Sequence, residues 1–289
     1  MNIRKIKNIY KSKPVIDGAG VQLKRAFGYY EKPLFDPFLL MDDFRSSDPE
    51  KYKNGFPFHP HRGIETITYI LKGSVEHQDS MGNKGIISTG DVQWMTAGSG
   101  IVHQEMPQVN KSKKLEGFQI WVNLPSSHKM MAPRYQDIKA KDIPEIKIND
   151  GVKIKIICGS INQVKGPVEN IIINPSFFDI TIDSNIKYAH AAKIEDTVFI
   201  YVIKGEVHFS ENGNSDYLYK DSLLKNETLV LFDKGENIIM HAGKKGARLL
   251  YLSGKPLREP IVWKGPIVMN TEDEIRTAFE EYNNGSFVK

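Results

Sequence analysis

Four side chains able to bind a metal ion fall in two short pairs in the first half of the chain. His59 and His61 stand two apart in Phe58-His59-Pro60-His61-Arg62-Gly63-Ile64-Glu65, and His103 and Glu105 stand two apart in Ile101-Val102-His103-Gln104-Glu105. Residues i and i+2 of a β-strand project from the same face. Each pair therefore aims two donors into one volume, and two such pairs on facing strands give three imidazole nitrogens and one carboxylate oxygen. That set binds a divalent transition ion and leaves two of six positions open to a substrate or O2. Imidazole suits iron, copper, nickel and zinc, and a carboxylate favours the harder end of that range, so the residues alone do not choose the metal. Glu65 also follows His61 at an even spacing, so by spacing alone either glutamate can share a face with its histidine. His77, His128, His190, His208 and His241 have no partner at such a spacing and are expected to be structural or exposed.

The elements that must position these donors are strands. Short runs rich in Val, Ile, Thr, Phe and Tyr recur at 66–71, 85–88, 92–95, 118–124, 152–158, 177–182, 197–203, 228–232 and 249–252, with glycine-bearing turns between them. The 23 glycines and 15 prolines are spread along the 289 residues, which favours many turns over long helices. This spacing predicts an all-β sandwich or barrel. One helix is expected, at about 271–283. Thr271-Glu272-Asp273-Glu274 opens it as a capping box, Ile275, Ala278, Phe279 and Tyr282 form its apolar stripe, and Asn283-Asn284-Gly285 ends it. Its expected work is docking on a barrel.

Two copies of one unit are suggested by a repeat. Tyr69-Ile70-Leu71-Lys72-Gly73-Ser74-Val75 matches Tyr201-Val202-Ile203-Lys204-Gly205-Glu206-Val207 in pattern. A proline-bearing stretch (Ala132-Pro133-Arg134, then Ile143-Pro144) lies between strand-rich halves. The expected division is a metal-binding unit at 1–131, a linker at 132–147 and a second unit at 148–289. The repeat's offset puts Ala191 and Lys193 where the first copy has His59 and His61, so the second unit is expected to lack a metal site.

Composition narrows the class. A net charge of +4, from 39 basic and 35 acidic residues, is small for this length, and Lys111, Lys113 and Lys114 look like a solvated loop. There is no case for direct nucleic-acid binding. The single cysteine, Cys158, excludes an internal disulfide and is expected to be buried and structural. No segment reaches the ~20 apolar residues of a membrane span, and the first residues carry no signal-peptide pattern, so a soluble, cytoplasmic protein is expected.

The glycines around the donors complete a recognisable pattern. His59-x-His61-x3-Glu65-x7-Gly73, followed by Gly90-Asp91-x6-Gly98-x-Gly100-x2-His103, is similar to the two motifs of the cupin superfamily, with Gly98 where the second motif usually has proline. Gly73 and Gly90 should sit at tight turns with φ > 0, and Gly100 should let the backbone bend before His103. Three longer blocks resemble the pirin family more closely: 36–44 (DPFLLMDDF), 59–66 (HPHRGIET) and 90–107 (GDVQWMTAGSGIVHQEMP). Residues 265–271 (GPIVMNT) look like the pirin C-terminus, and the resemblance runs from about residue 3 to residue 285.

That resemblance implies two cupin-type, jelly-roll β-barrels in tandem (a bicupin), with Fe(II) in the first barrel and other divalent transition metals as substitutes. It also implies His59, His61, His103 and Glu105 as the metal ligands, which leaves Glu65 to orient a ligand or to pair with Arg62 or another basic group. The implied activity is that of a quercetin 2,3-dioxygenase, cleaving a flavonol with O2, with Glu105 as the catalytic base. The alternative it implies is a metal-dependent, redox-sensing regulatory or binding protein whose protein partner is a transcription factor or a metabolic enzyme. Trp94 and Trp121 are expected in the core. Phe56-Pro57-Phe58 is placed either at a pocket mouth or in plain packing, and Arg62 either steers an anion or pairs with a local carboxylate.

Overall fold

All of the runs expected as strands fall on strands in the computed structural model, which describes residues 2–109, 111–209 and 223–289. The chain forms two compact units. One comprises Lys13–Ala140 with Leu257–Lys289, and the other Met1–Ser12 with Lys141–Pro256. Both are the β-barrels that the strand spacing called for.

The histidine-bearing unit is built from two antiparallel sheets. The larger runs in the order Arg134–Ile138, Val92–Thr96, Ile64–Lys72, Glu116–Asn123, Phe38–Asp43, Val21–Phe27 and Lys13–Asp17. The smaller runs Phe56–His61, Ile101–Pro107, Ser74–Asp79, Lys84–Ser88. Apolar residues of both sheets, among them Val21, Leu23 and Ile70 from the larger and Val75 and Ile87 from the smaller, form one buried cluster. Gly73 and Gly90 adopt φ of +91° and +87°, as their turns require. A side chain at Gly73 would also meet the Lys114 carbonyl at 2.6 Å.

The termini depart from the expected division. Ile6–Lys11 pairs antiparallel with Thr228–Phe232 and so belongs with the second unit, while the segment after Pro256 returns to the first. The stretch expected as a linker contains one sheet-edge strand and the start of another: Arg134–Ile138 pairs with Val92–Thr96, and Glu145–Asn149 with Val152–Cys158. Pro133 and Pro144 each stand immediately before an edge strand, where proline costs no ladder hydrogen bond. Local composition read that punctuation as a boundary.

The helix Glu272–Asn283 has its expected cap, Thr271 Oγ1 accepting from the Glu274 amide and Glu274 returning the bond to the Thr271 amide. It buries Ile275 and Ala278 against Ile267, Met269 and Phe287 of the histidine-bearing unit. Among the described residues no helix is long and apolar enough to cross a membrane.

The second unit centres on a sheet in the order Ile6–Lys11, Thr228–Phe232, Thr197–Phe209, Asn237–Gly254, Ser176–Ile182, Val152–Cys158, Glu145–Asn149. Ile154, Ile180, Val198, Val230 and Leu249 fill its core. Gly205, which answers to Gly73 in the repeat, likewise has positive φ, at +83°.

Candidate metal centre

The two ligand-bearing strands are hydrogen-bonded neighbours in the smaller sheet, where facing strands had been expected. In the antiparallel register of Phe56–His61 with Ile101–Pro107, His103 lies directly opposite His59. The i, i+2 rule then puts His61 on the same face. One ring nitrogen from each of His59, His61 and His103 lies within 4.8 Å of the others. The ring centroids are 4.9 Å apart for His59–His61, 4.4 Å for His59–His103 and 5.1 Å for His61–His103.

The hydrogen bonds fix two of the three tautomers. His59 donates from Nδ1 to the Pro57 carbonyl at 2.9 Å, and His61 donates from Nδ1 to the Pro266 carbonyl at 3.0 Å. A carbonyl can only accept, so both rings carry their proton on Nδ1 and keep the Nε2 lone pair for an ion. His103 differs: neither of its buried ring nitrogens has a hydrogen-bond partner among the described residues. Burial, reinforced by the neighbouring His59, lowers the His61 pKa to about 3. Burial likewise holds His103 well below the ordinary histidine value, with His59, His61 and His77 adding to the effect. His61 and His103 are thus held neutral at pH 7. Converging and incompletely hydrogen-bonded, the three rings form a donor set that fits one divalent cation.

Glu105 lies outside that trio. Its side chain is buried, and Oε1 accepts from the Thr68 hydroxyl at 2.9 Å. The same hydroxyl lies 2.9 Å from Gln119 Oε1. Burial raises the Glu105 pKa, against the pull of His59 and Thr68. Glu65, fully buried, is further removed in role. It accepts from Trp94 Nε1 at 3.1 Å and Thr96 Oγ1 at 2.7 Å, and the basic group that acts on it is Arg134 rather than Arg62.

Arg62 does not line the cavity beside the histidines. Its buried guanidinium donates to the carbonyls of Ser99 (2.7 Å) and Phe287 (3.0 Å), pairs with Glu281 at 2.6 Å and lies over the Phe287 ring. It pairs with a carboxylate, as one of its two expected roles required, and it fastens the C-terminal segment. Lys129 does similar work: its Nζ, also buried, donates to the carbonyls of Gly63 and Val268 and to Asn123 Oδ1. Through these bonds the segment after Pro256 reaches the site and brings the Pro266 carbonyl to His61.

A cavity of about 880 Å³ opens beside His59, His61 and Glu105. Phe56, Pro57 and Phe58 line it, together with Tyr29, Trp121 and Trp263. Trp94 is core, as expected, but Trp121 faces this cavity and meets His61 edge-on at 5.0 Å between centroids. Alternation explains the difference: Phe118, Ile120 and Val122 point to the buried side of their strand, and Gln119 and Trp121 to the other. The polar corner of the cavity is Arg25, which donates to Asp42 through Nε and Nη2 (2.8 and 2.7 Å) and to Asp17 through Nη2 (2.8 Å). Burial pushes the Asp42 carboxyl up to about 6 despite Arg25.

His77 is the residue that spacing should have flagged. It is buried on the neighbouring strand Ser74–Asp79, its ring 5.5 Å from that of His103, and neither ring nitrogen has a hydrogen-bond partner among the described residues. With Asp79 it forms a third i, i+2 pair of ligand-type residues, beside the other two.

Comparison with known proteins gives a consistent picture. Residues 20–122 match the family model described as Pirin, and residues 177–288 that of the Pirin C-terminal cupin domain. A pirin-like protein of Caulobacter vibrioides is 36% identical, covering 99% of this chain and 100% of its own. Mouse pirin is 38% identical over 93% of this chain and 88% of its own. The crystal structure of a quercetin 2,3-dioxygenase from Acinetobacter baumannii, 33% identical, superposes with a TM-score of 0.88 over 99% of this chain and 98% of that one.

Proposed function

This chain belongs to the pirin family, and from that premise we propose that it is an Fe(II)-dependent flavonol 2,3-dioxygenase using His59, His61, His103 and Glu105 as ligands. The observation that carries the reading is the trio of histidine nitrogens within 4.8 Å, set at the wall of an aromatic-lined cavity. The name of the Acinetobacter relative supports the substrate class.

An ion held by these donors supplies Lewis acidity toward a hydroxyl group and, as Fe(II), reactivity toward O2. The protein supplies the rest. A flavonol is a flat, three-ring aromatic with hydroxyls at its edges, and a cavity of about 880 Å³ accommodates it. Trp121, Trp263 and Phe56 present faces and edges that hold such rings and keep water from the reacting carbons. Arg25, Asp42 and Gln119 offer hydrogen-bond partners to the peripheral hydroxyls. Glu105 lines the same cavity, and a carboxylate whose pKa burial has raised is a better base than an exposed one. It accepts the proton of the flavonol 3-hydroxyl, with Thr68 steadying its other charge density.

The test is direct. Protein loaded with Fe(II) and incubated in air with quercetin should bleach the flavonol absorbance, and His61→Ala should abolish both metal retention and bleaching. A wild-type protein that retains iron yet leaves quercetin untouched would refute the catalytic reading and leave a metal-dependent binding protein in its place.

A further inference from the structure

Two of the three clustered histidines have their second ring nitrogen satisfied by a carbonyl, and the third does not. His59 uses Pro57 and His61 uses Pro266. His103, 2% exposed, has no such carbonyl and no other partner among the described residues. A buried N–H left unpaired costs about 1–3 kcal/mol. Metal-bound histidines in general donate their second N–H to a carboxylate, a carbonyl or a water, which fixes the ring's orientation. The group standing in that position here is His77.

The register puts it there. In the pairing of Ile101–Pro107 with Ser74–Asp79, His77 lies directly opposite Glu105 and Asp79 directly opposite His103. All four side chains share a face, so the His77 ring is the diagonal neighbour of His103, at 5.5 Å between centroids. His77 is also 2% exposed, and both its nitrogens are unpaired as well. With one His103 nitrogen in the trio and His77 Nε2 turned to Asp79, each of the two adjoining rings keeps one further buried nitrogen without a partner among the described residues, where such groups are ordinarily satisfied. Behind His77 stand Asp79, whose Oδ2 is 3.6 Å from His77 Nε2, and the Tyr135 ring at 4.7 Å. Asp79 is itself held by the amides of Met81 and Asn83 and by the Asn83 side chain. The wall behind His77 is thus anchored.

We propose that His77 is the positioning residue for His103: one His77 nitrogen accepts the second N–H of the metal-bound His103, directly or through one buried water, and Asp79 holds the opposite edge of the His77 ring. His77 touches neither the ion nor the substrate. It acts by holding the ligand ring in the orientation that points its lone pair at the other two histidines. The inference rests on the reading of the trio as a metal centre.

Co(II) titration of the full chain separates the two claims. Wild-type protein should bind one Co(II), with visible absorption and with a paramagnetically shifted, exchangeable N–H proton for each ligand histidine. His77→Phe keeps the ring volume but removes both nitrogens. It should weaken Co(II) binding about 10- to 100-fold and lose one shifted exchangeable proton, leaving those of His59 and His61. His77→Gln, which restores an acceptor, should recover most of both. A Phe variant that binds Co(II) within twofold of wild type with every exchangeable proton intact overturns the proposal. So does a Gln variant no better than Phe, since a merely steric role would not distinguish them by acceptor. Should the Phe variant misfold, solvent exchange of the His103 N–H in wild type decides: slow exchange supports a buried partner, and exchange as fast as that of exposed histidine overturns it. Wild-type protein that binds no Co(II) overturns the metal-centre reading and this inference with it.

Discussion

Replacing Arg62 by methionine should loosen the histidine-bearing unit by about 4 kcal/mol. Methionine keeps the buried apolar stem and deletes the guanidinium. What is lost is two charge-assisted hydrogen bonds, to the carbonyls of Ser99 and Phe287, and the ion pair with Glu281, at a side chain 2% exposed. Hydrogen bonds to charged groups contribute about 1.5–3 kcal/mol each. Breaking a buried pair by removing one partner costs about 3–5 kcal/mol. Glu281 keeps 19% of its surface in water and a second partner in Lys289, so its own share is small. The assay follows from the sequence: Trp94, Trp121 and Trp263 are the chain's three tryptophans, and all lie in this unit. Urea unfolding followed by tryptophan fluorescence therefore reports on it selectively. With an m-value of about 2.5 kcal/mol/M, the midpoint should fall by roughly 1.5 M. Glu281→Gln should cost at most about 1 kcal/mol, and the double variant should cost little more than Arg62→Met alone, because the pair is already broken. An Arg62→Met midpoint within 0.3 M of wild type, taken as about the resolution of the assay, would refute the claim that Arg62 clamps the C-terminal segment beside the ligand strands.

The remaining expectations concern the site itself. Metal-free protein should lose stability as the pH falls below about 6.5. Unfolded His61 takes up a proton there, while folded His61 does so only near pH 3, so stability rises with pH across that window by about 1.4 kcal/mol per pH unit per histidine. His61→Gln should flatten the slope, measured by urea midpoints from pH 5 to 7, and an unchanged slope would count against a neutral buried His61. Trp121→Leu should lower kcat/KM for quercetin about tenfold, with iron content unchanged, because it removes a cavity wall and no ligand; lost iron would instead place Trp121 among the supports of His61. Thr68→Val should lower turnover while leaving the three histidines able to bind Co(II), since it frees Glu105 from its hydrogen bond; equal turnover would show that the hydroxyl does not position the carboxylate.

What the sequence disclosed, and what it withheld, divides along a physical line. Periodicity is local, and so the strands, the capped helix and the same-face placement of His59 with His61 were all legible. Alternation also held the information that Trp121 and Gln119 face away from Phe118, Ile120 and Val122, and that His77 and Asp79 form a third ligand-type pair. The partners of these groups are set by register and by chain return, which no local pattern records. Nothing near His61 announces a carbonyl 205 residues downstream. Nothing near Arg62 announces the chain's last turn of helix, and the prolines at 133 and 144 suggest a boundary where two edge strands begin. The position of the Glu105 carboxylate is a matter of rotamer and hydrogen bonding. Its even spacing from His103 gave the right face and could not show that Thr68 holds one oxygen.

The three pairs, side by side on adjacent strands, also account for the electrostatics of the site. Burial disfavours the charged forms of His61, His77 and His103, so protons do not compete with an ion for the His61 and His103 lone pairs near neutral pH. The same burial leaves nitrogens of His103 and His77 without hydrogen-bond partners among the described residues, and a protein core tolerates few such groups. A bound ion takes up one His103 nitrogen, and a hydrogen bond to His77 takes up the other. Metal binding should accordingly stabilise the unit against urea, and by less in His77→Phe, where the ligand ring loses its support.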